Sequence, residues 1–283
     1  MCDDRQQVEY FRPTSVTEAI DWLATNDARI AAGCTDLFPA TEAPSLGGNL
    51  LDVTAIEGLH GITETDDHWR LGATTTWTDI IRADLPSAFD GLKQAAREIG
   101  SVQIQNSATI GGNLCNASPA ADGAPCLLTL DARVELTSKS DTRVFPLNEF
   151  ILGPRHTALG ADEILTAVLI PKPTNGRSAF IKLGARKHLV ISIVMVAVCL
   201  TENDGAIETA SIAVGSCSAV ATRLPELEAA LIGQSMNGDM AELISDELVG
   251  AQLSPISDVR ADAEYRKDAA RELVQRAIRA AAS

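Results

Sequence analysis

At 283 residues with 46% hydrophobic content, the chain suits two or three soluble domains. Aromatics make up only 4%, so the cores rest on Ala, Val, Ile and Leu. The formal charge of −15 argues against a nucleic-acid footprint and against an anionic membrane surface, since both call for a basic face.

An anionic ligand therefore has to be held by local backbone donors rather than by net charge. The start, Met1-Cys2-Asp3-Asp4, has neither the basic nor the apolar run of a secretory signal. The longest apolar stretch, Leu189 to Leu200, is broken by Ser192 and falls short of the ~20 residues of a membrane helix. The cysteines (Cys2, Cys34, Cys115, Cys126, Cys199, Cys217) contain no CxxC pair. They indicate neither a disulfide framework nor a zinc site, and a reducing cytoplasm is expected.

In chain order, Tyr10-Phe11-Arg12-Pro13 predicts an extended lead-in. Ser15 and Glu18 form a capping-box signature before a helix carrying Ala19, Ile20, Leu23 and Ala24. Arg29–Ala32 and Leu50–Val53 predict short strands, and Gly33-Cys34-Thr35-Asp36 a tight loop. Gly61–Thr65 and Trp69–Gly72 predict a hairpin closed at Asp66-Asp67. Thr76 with Asp79 caps a short helix, and Leu92–Ile99 is helical with Gly100 at C′.

Ser107 to Asp122 (SATIGGNLCNASPAAD) is the stretch richest in small residues. Its adjacent Gly111 and Gly112 follow a β-type lead-in, Ala108 to Ile110. Adjacent glycines permit a turn with φ > 0 and a nest of amides for an anion, so the stretch stands open between a plain turn and a phosphate cradle. Beyond it, Ala124–Leu130 predicts a helix, Arg133–Thr137 with Arg143–Pro146 a hairpin, and Glu163–Ile170 a strand stopped by Pro171. Lys172 to Gly176 predicts a linker. Ala179–Ala185 and Ile193–Thr201 predict strands, the second buried on both faces. Asn203-Asp204-Gly205 is a hairpin turn leading into Ala210–Gly215. Helices are predicted over Leu224–Leu231, Met240–Leu248 and from about Ala261, the last with Tyr265, Ala269, Leu273 and Ala277 on one face.

Two glycine loops that could face each other suggest a ligand with two phosphates. There is no GxGxxG and no lysine following a glycine loop, so neither a dinucleotide fingerprint nor a P-loop is supported. The histidines (His60, His68, His156, His188) are not at metal-ligand spacing, and no Ser lies in GxSxG. Cys115 and Cys126 flank the glycines and are read as small apolar residues. Lys182 and Arg186 in KLGARK read either as a solvated strand face or as a reach toward an anionic cofactor.

AAGCTDL (Ala31–Leu37) resembles the first flavin motif, AGGTDL, of FAD-binding subunits of molybdenum hydroxylases, and Ala108–Asp122 resembles the second, TIGGNxxNASPxxD. Further matching stretches are YFRPxSxxEA (Tyr10–Ala19), GPRHTAL (Gly153–Leu159), DEIL (Asp162–Leu165), KLGARKHLVISIVMVAV (Lys182–Val198), EYR (Glu264–Arg266) and RAIRAA (Arg276–Ala281). The group includes bacterial xanthine dehydrogenase and aerobic carbon monoxide dehydrogenase, and the KLGARKxxxIS stretch favours the xanthine dehydrogenase branch.

The resemblance implies an α+β fold. A vanillyl-alcohol-oxidase (PCMH)-type FAD-binding domain of two αβ subdomains would cover 1–172, divided at about 57/58. A C-terminal antiparallel sheet with helices would cover 177–283. It implies FAD contacts from Ile30, Ala31, Ala32, Gly33, Cys34, Thr35, Asp36 and Leu37, and from Thr109, Ile110, Gly111, Gly112 and Asn113. The pyrophosphate would meet Ala32–Asp36 and Thr109–Asn113. Ser118 and Asp122 match positions near the ribose and adenine, and Ile99, Ile164, Leu165 and Lys182 match positions lining the flavin or adenosine pocket.

It further implies partner subunits, a large one with the molybdopterin cofactor and a small one with two [2Fe–2S] clusters, as a dimer of heterotrimers in the cytoplasm. Electrons would pass through FAD to NAD+ or another acceptor. No catalytic residue, metal site, nucleic acid or membrane insertion is expected of this chain. Two positions depart from the pattern: Cys34 replaces the second glycine of AGGTDL, and Gln105 stands where QIRN has arginine. They motivate one alternative, a cofactor-free scaffold subunit. A stand-alone flavin oxidase is the other, and it would need a substrate cap and an acid–base pair.

Overall fold

The computed structural model describes residues 9–42, 46–172, 175–236, 240 and 243–283. The first unit is a parallel sheet of β1 (Tyr10–Phe11), β2 (Ala28–Ala31) and β3 (Asn49–Asp52), in the order β1-β3-β2, with α1 (Val16–Leu23) packed on it. Ala19, Ile20 and Leu23 of α1 bury against Leu51, Val53 and Ile56. Ser15 caps α1 by accepting from the Glu18 amide, whereas the Glu18 carboxylate reaches back to Thr14 and not to Ser15. The box is therefore shifted by one residue on its return side.

The second unit holds β4 (Ile62–Glu64), β5 (His68–Gly72), α2 (Trp77–Arg82), α3 (Asp90–Glu98), α4 (Val102–Gln105), α5 (Ile110–Asn116), α6 (Gly123–Thr129), β6 (Arg133–Thr137), β7 (Thr142–Pro146), α7 (Leu147–Phe150), β8 (Ile151–Gly153), β9 (His156–Thr157) and β10 (Ile164–Pro171). Its main sheet runs β4-β5-β10-β6-β7, with every pair antiparallel. The Thr76–Asp79 box forms on both sides. Gly100, at φ 55, ends α3 as the left-handed residue that lets a helix close its last turn.

The third unit is the antiparallel sheet β11 (Arg177–Leu183), β12 (Val194–Asn203), β13 (Ala206–Gly215) and β14 (Thr222–Arg223), with α8 (Pro225–Leu231) and α9 (Ala263–Ala282). Strand periodicity divides β12 between two cores. Val194, Val196 and Val198 face the cluster that includes α9, while Met195 and Ala197 join the cluster of α3 and α6. The C-terminal sheet is thus sandwiched between its own helices and the second unit. The hairpin turn has Asp204 and Gly205 both left-handed, at φ 51 and 81.

Three expectations fail. Gly111 and Gly112 do not make a left-handed turn; they sit in the first turn of α5. The predicted helix over Met240–Leu248 includes residues 241–242, which lie outside the described residues; of its described part, Leu243 is in 3-10 conformation and the rest is turn and irregular backbone, not α-helix. The buried face of α9 departs from the expected one in its first half: Tyr265 is half exposed and Ala269 only partly buried, while Arg266 and Ala270 lie inside; Leu273 and Ala277 are buried as expected. Pro173 and Thr174 of the predicted linker also lie outside the described residues. Among the described residues, no helix is long and apolar enough to cross a membrane.

Candidate FAD site

The chain leaves β2 at Ala31 and turns outward at the carboxyl edge of the parallel sheet, the usual ligand edge of such sheets. Cys34 has φ 56, a left-handed conformation that costs a non-glycine residue about 1–2 kcal/mol. Its Sγ donates to the Ala32 carbonyl at 3.3 Å. The backbone amides of Gly33, Cys34, Thr35 and Asp36 have no backbone acceptor among the described residues. They are donors in search of an anion or water.

Across from this loop, Thr109 caps α5 and pairs with Thr76 as an isolated bridge. The amides here are already used. Ile110 donates to Thr75 O at 3.0 Å, Gly111 to Ala73 O at 2.9 Å, Gly112 to Thr109 Oγ1 at 3.0 Å and Asn113 to Thr109 O at 3.0 Å. The glycine pair is there for space instead. A Cβ on Gly111 would lie 2.7 Å from Ala73 O, and one on Gly33 only 1.9 Å from Ser107 O. Gly33 thereby lets the first loop rest directly on the backbone that leads into the second. Gly112 lines the opening, and its missing Cβ would meet only Thr109 Oγ1, at 2.9 Å.

Between them lies a cleft of ≈ 320 Å³. The predicted residues that line it are Ile30, Ala32, Gly33, Cys34, Thr35, Asp36 and Leu37 from the first loop, Thr109, Gly111 and Gly112 from the second, and Ile164 and Leu165 from β10. Sequence reasoning missed Ala40, Val53, Ala73, Thr74, Ala108, Cys115, Asn116 and Leu159. Ala73 and Thr74 arrive through the β5–β10 register, which no local pattern announces. Cys115 and Asn116 follow Gly111 and Gly112 by four residues, so reading the stretch as a helix would have found them. Burial pushes the Cys115 thiol up to about 12, which keeps it neutral and unsuited to act as a nucleophile.

The other predicted residues lie elsewhere. Ala31 and Ile110 are buried in the interior, and Ile99 ends α3 against the core. Asn113 does not line the cleft, and its Oδ1 is buried without a partner. Ser118 Oγ accepts from the Ala120 amide. Asp122 and Lys182 form an ion pair at 2.7 Å, each side chain only 7% exposed. Ser192 donates to the other Asp122 oxygen at 2.5 Å, and Lys182 also reaches the Glu98 carbonyl at 3.3 Å. Burial pushes the Asp122 carboxyl up from its ordinary value, against the opposing pull of Lys182 and Ser192. Lys182 is therefore no solvated strand residue; it borders a second cavity of ≈ 570 Å³, shared with Gln94, Arg97 and Arg186. Gln105 is buried and donates to the Arg97 carbonyl at 3.1 Å, capping the end of α3 away from the cleft.

The family model for the FAD binding domain in molybdopterin dehydrogenase matches residues 6–173. The chain belongs to this flavoprotein family of the molybdenum hydroxylases. A second family model, the CO dehydrogenase flavoprotein C-terminal domain, matches residues 179–281. The chain is 33% identical over 280 residues to the nicotine 6-hydroxylase medium subunit of Paenarthrobacter nicotinovorans, covering 96% of each. It is 31% identical over 263 residues to a putative xanthine dehydrogenase FAD-binding subunit of Escherichia coli, covering 91% of this chain and 90% of the relative. Among solved structures, a Cu,Mo-CO dehydrogenase chain superposes with a TM-score of 0.90 at 31% identity, covering 97% of each chain.

The residues of this flavoprotein fit FAD. The loop supplies open amides for a dianionic group, and Ala32, Ala108 and Gly112 leave room for a backbone-close approach. Ile30, Val53, Ile164 and Leu165 add an apolar wall. The two departures from the family motifs separate. Cys34 occupies the left-handed corner of the loop itself, whereas Gln105 serves α3 and does not line the cleft.

Proposed function

We propose that this flavoprotein holds FAD in the Ala32–Asp36 cleft and serves as the electron-transfer subunit of a molybdenum hydroxylase complex of the xanthine dehydrogenase type. The observation that carries the reading is the loop of unpaired amides at Gly33–Asp36 facing a wall of small residues. These amides would bind the pyrophosphate, while Gly112 and Thr109 bound its other side. Ile30, Ile164 and Leu165 would exclude water from the apolar part. Ser118, Asp122, Lys182 and Ile99 would complete the site around the rest of the cofactor, with Ala31, Ile110 and Asn113 supporting the two loops from behind.

FAD supplies the exchange between one-electron and two-electron carriers, and the protein supplies position and electrostatics. Among the described residues lining the cleft, Asp36 is the one carboxylate and no histidine is present, which suits a carrier site more than substrate acid–base chemistry. Residues 1–172 would form the FAD-binding domain, in subdomains of about 1–57 and 58–172, and 177–283 the C-terminal domain.

The names of relatives as a medium subunit and a medium chain support membership of a multi-subunit complex. Its other members would be a large molybdopterin subunit and a small subunit with two [2Fe–2S] clusters, as a dimer of heterotrimers in the cytoplasm. The electrons would pass from FAD to NAD+ or another acceptor. The case for a cofactor-free scaffold weakens with Gln105 outside the cleft and Cys34 carrying the turn its loop requires. Co-expression with large and small partner subunits tests the reading. The expected product contains FAD, molybdenum and iron together, and its reduced flavin is reoxidised by NAD+. A complex that assembles without flavin would support the scaffold, and flavin oxidation of a substrate by the chain alone would support the oxidase.

A further inference from the structure

We infer that Arg266 is a positioning residue: from α9 it fixes the Pro119–Asp122 segment, and through it the buried Asp122–Lys182 pair and the affinity of the site for FAD. This rests on the proposed function for its ligand, but its geometry stands on its own. Arg266 is 1% exposed, the deepest placement of any charged side chain among the described residues. Burying a guanidinium is costly unless its donors are matched; the two terminal nitrogens of Arg266 are matched, while its Nε is buried without a partner. Nη1 donates to the carbonyls of Ile193 and, at 2.8 Å, Ser216, and Nη2 donates to Asp258 at 2.6 Å.

Those two carbonyls mark the open end of the β12–β13 hairpin. β12 begins at Val194, β13 ends at Gly215, and Met195 pairs with Gly215. Ile193 and Ser216 lie just beyond the ladder, where no strand bond holds them together, and Arg266 bridges them. Both strand ends then grip the same segment of the FAD-binding domain. The Ser216 amide donates to the Pro119 carbonyl at 3.0 Å, and Ser192, adjacent to Ile193, donates to Asp122 at 2.5 Å. Asp122 in turn holds Lys182. Arg266 touches neither the cleft nor the ion pair, so it acts only by setting the spacing of the two grips. Asp258 is a partly exposed counter-charge that neutralises Arg266 without touching the strand ends.

The test uses the full chain with Arg266→Lys, Ser192→Ala, their double variant and Asp258→Asn. FAD titration is read by flavin fluorescence, thermal unfolding is followed without FAD, and amide exchange is measured at Ala120–Asp122. Arg266→Lys and Ser192→Ala should each weaken FAD binding and speed exchange at Ala120–Asp122 by about tenfold, and the double variant should go no further than the stronger single. Asp258→Asn should lower Tm and leave both other readouts alone. Unchanged exchange in Arg266→Lys or Ser192→Ala, or effects that multiply in the double variant, would overturn the inference. If Arg266→Lys does not fold, Ser192→Ala against Asp258→Asn decides it by the same two readouts. A wild-type chain that binds no FAD counts against the proposed function, while the exchange result still judges Arg266.

Discussion

The loop at Gly33–Asp36 and the stretch at Thr109–Asn113 face one cleft, yet their backbones are employed differently. In the first, four consecutive amides have no backbone acceptor and one residue is left-handed. In the second, four consecutive amides are bonded inside the protein and the backbone is helical. The stretch with the richer glycine motif is thus the rigid wall, and the plainer loop presents the donors. Glycine in a nucleotide motif can be needed for close packing of protein on protein as much as for approach to the ligand.

Substitutions at the glycines probe that contrast most strongly. Gly33→Ala should cost about 3 kcal/mol or more, because its Cβ would enter the Ser107 backbone at 1.9 Å and neither segment can yield without the other. Thermal unfolding of the FAD-free chain measures it. Gly111→Ala should cost about 1–3 kcal/mol through Ala73, again without ligand present. Gly112→Ala should differ in kind. Its Cβ meets only the cap hydroxyl, so stability should fall by no more than about 1 kcal/mol while FAD binding weakens. Equal losses of stability at all three glycines would erase the distinction between packing and ligand space.

The wall behind the cleft offers a pH test. Arg143 Nε and Nη2 bond the two Glu163 oxygens at 2.7 and 2.8 Å, next to the Ile164–Leu165 wall. The Arg143 guanidinium holds the Glu163 carboxyl below its ordinary value, helped by the Gly160 amide and opposed by partial burial. The folded value is depressed, so the stabilisation is present above the unfolded value of about 4.3 and is lost as pH falls through the folded one. The half-exposed arginine limits the effect to about 1 kcal/mol. Denaturation midpoints of wild type and Glu163→Gln should differ at pH 7 and converge in acid. Cys34→Gly is the mildest change. Relief of the left-handed strain exceeds the added chain entropy, so it should stabilise the protein by about 0.5 kcal/mol with FAD still bound.

Much of the fold is legible because local and tertiary preferences agree. Asp204-Gly205 can form the tight primed turn, and the unbroken apolar run of β12 needs protein on both faces. The failures occur where a distant partner overrides a local rule. Two glycines disfavour a helix, but the Gly111 amide finds Ala73 O and its missing Cβ admits that backbone. Arginine is ordinarily a surface residue, so the face of α9 is drawn through Tyr265. The Ile193 and Ser216 carbonyls, 73 and 50 residues away in sequence, together with the Asp258 carboxylate make Arg266 an interior residue. The first loop is legible in its motif string, whereas its open amides emerge only once the sheet edge and Ser107 are in place.

In the proposed function, the Gly33–Asp36 amides bind the pyrophosphate of FAD. Titrating the full chain with FAD and with riboflavin, which carries the same ring without phosphate, tests it most directly. FAD binding should be saturable, and riboflavin binding weaker by at least about a hundredfold, two charge-assisted hydrogen bonds' worth. Equal affinity for the two flavins would contradict it.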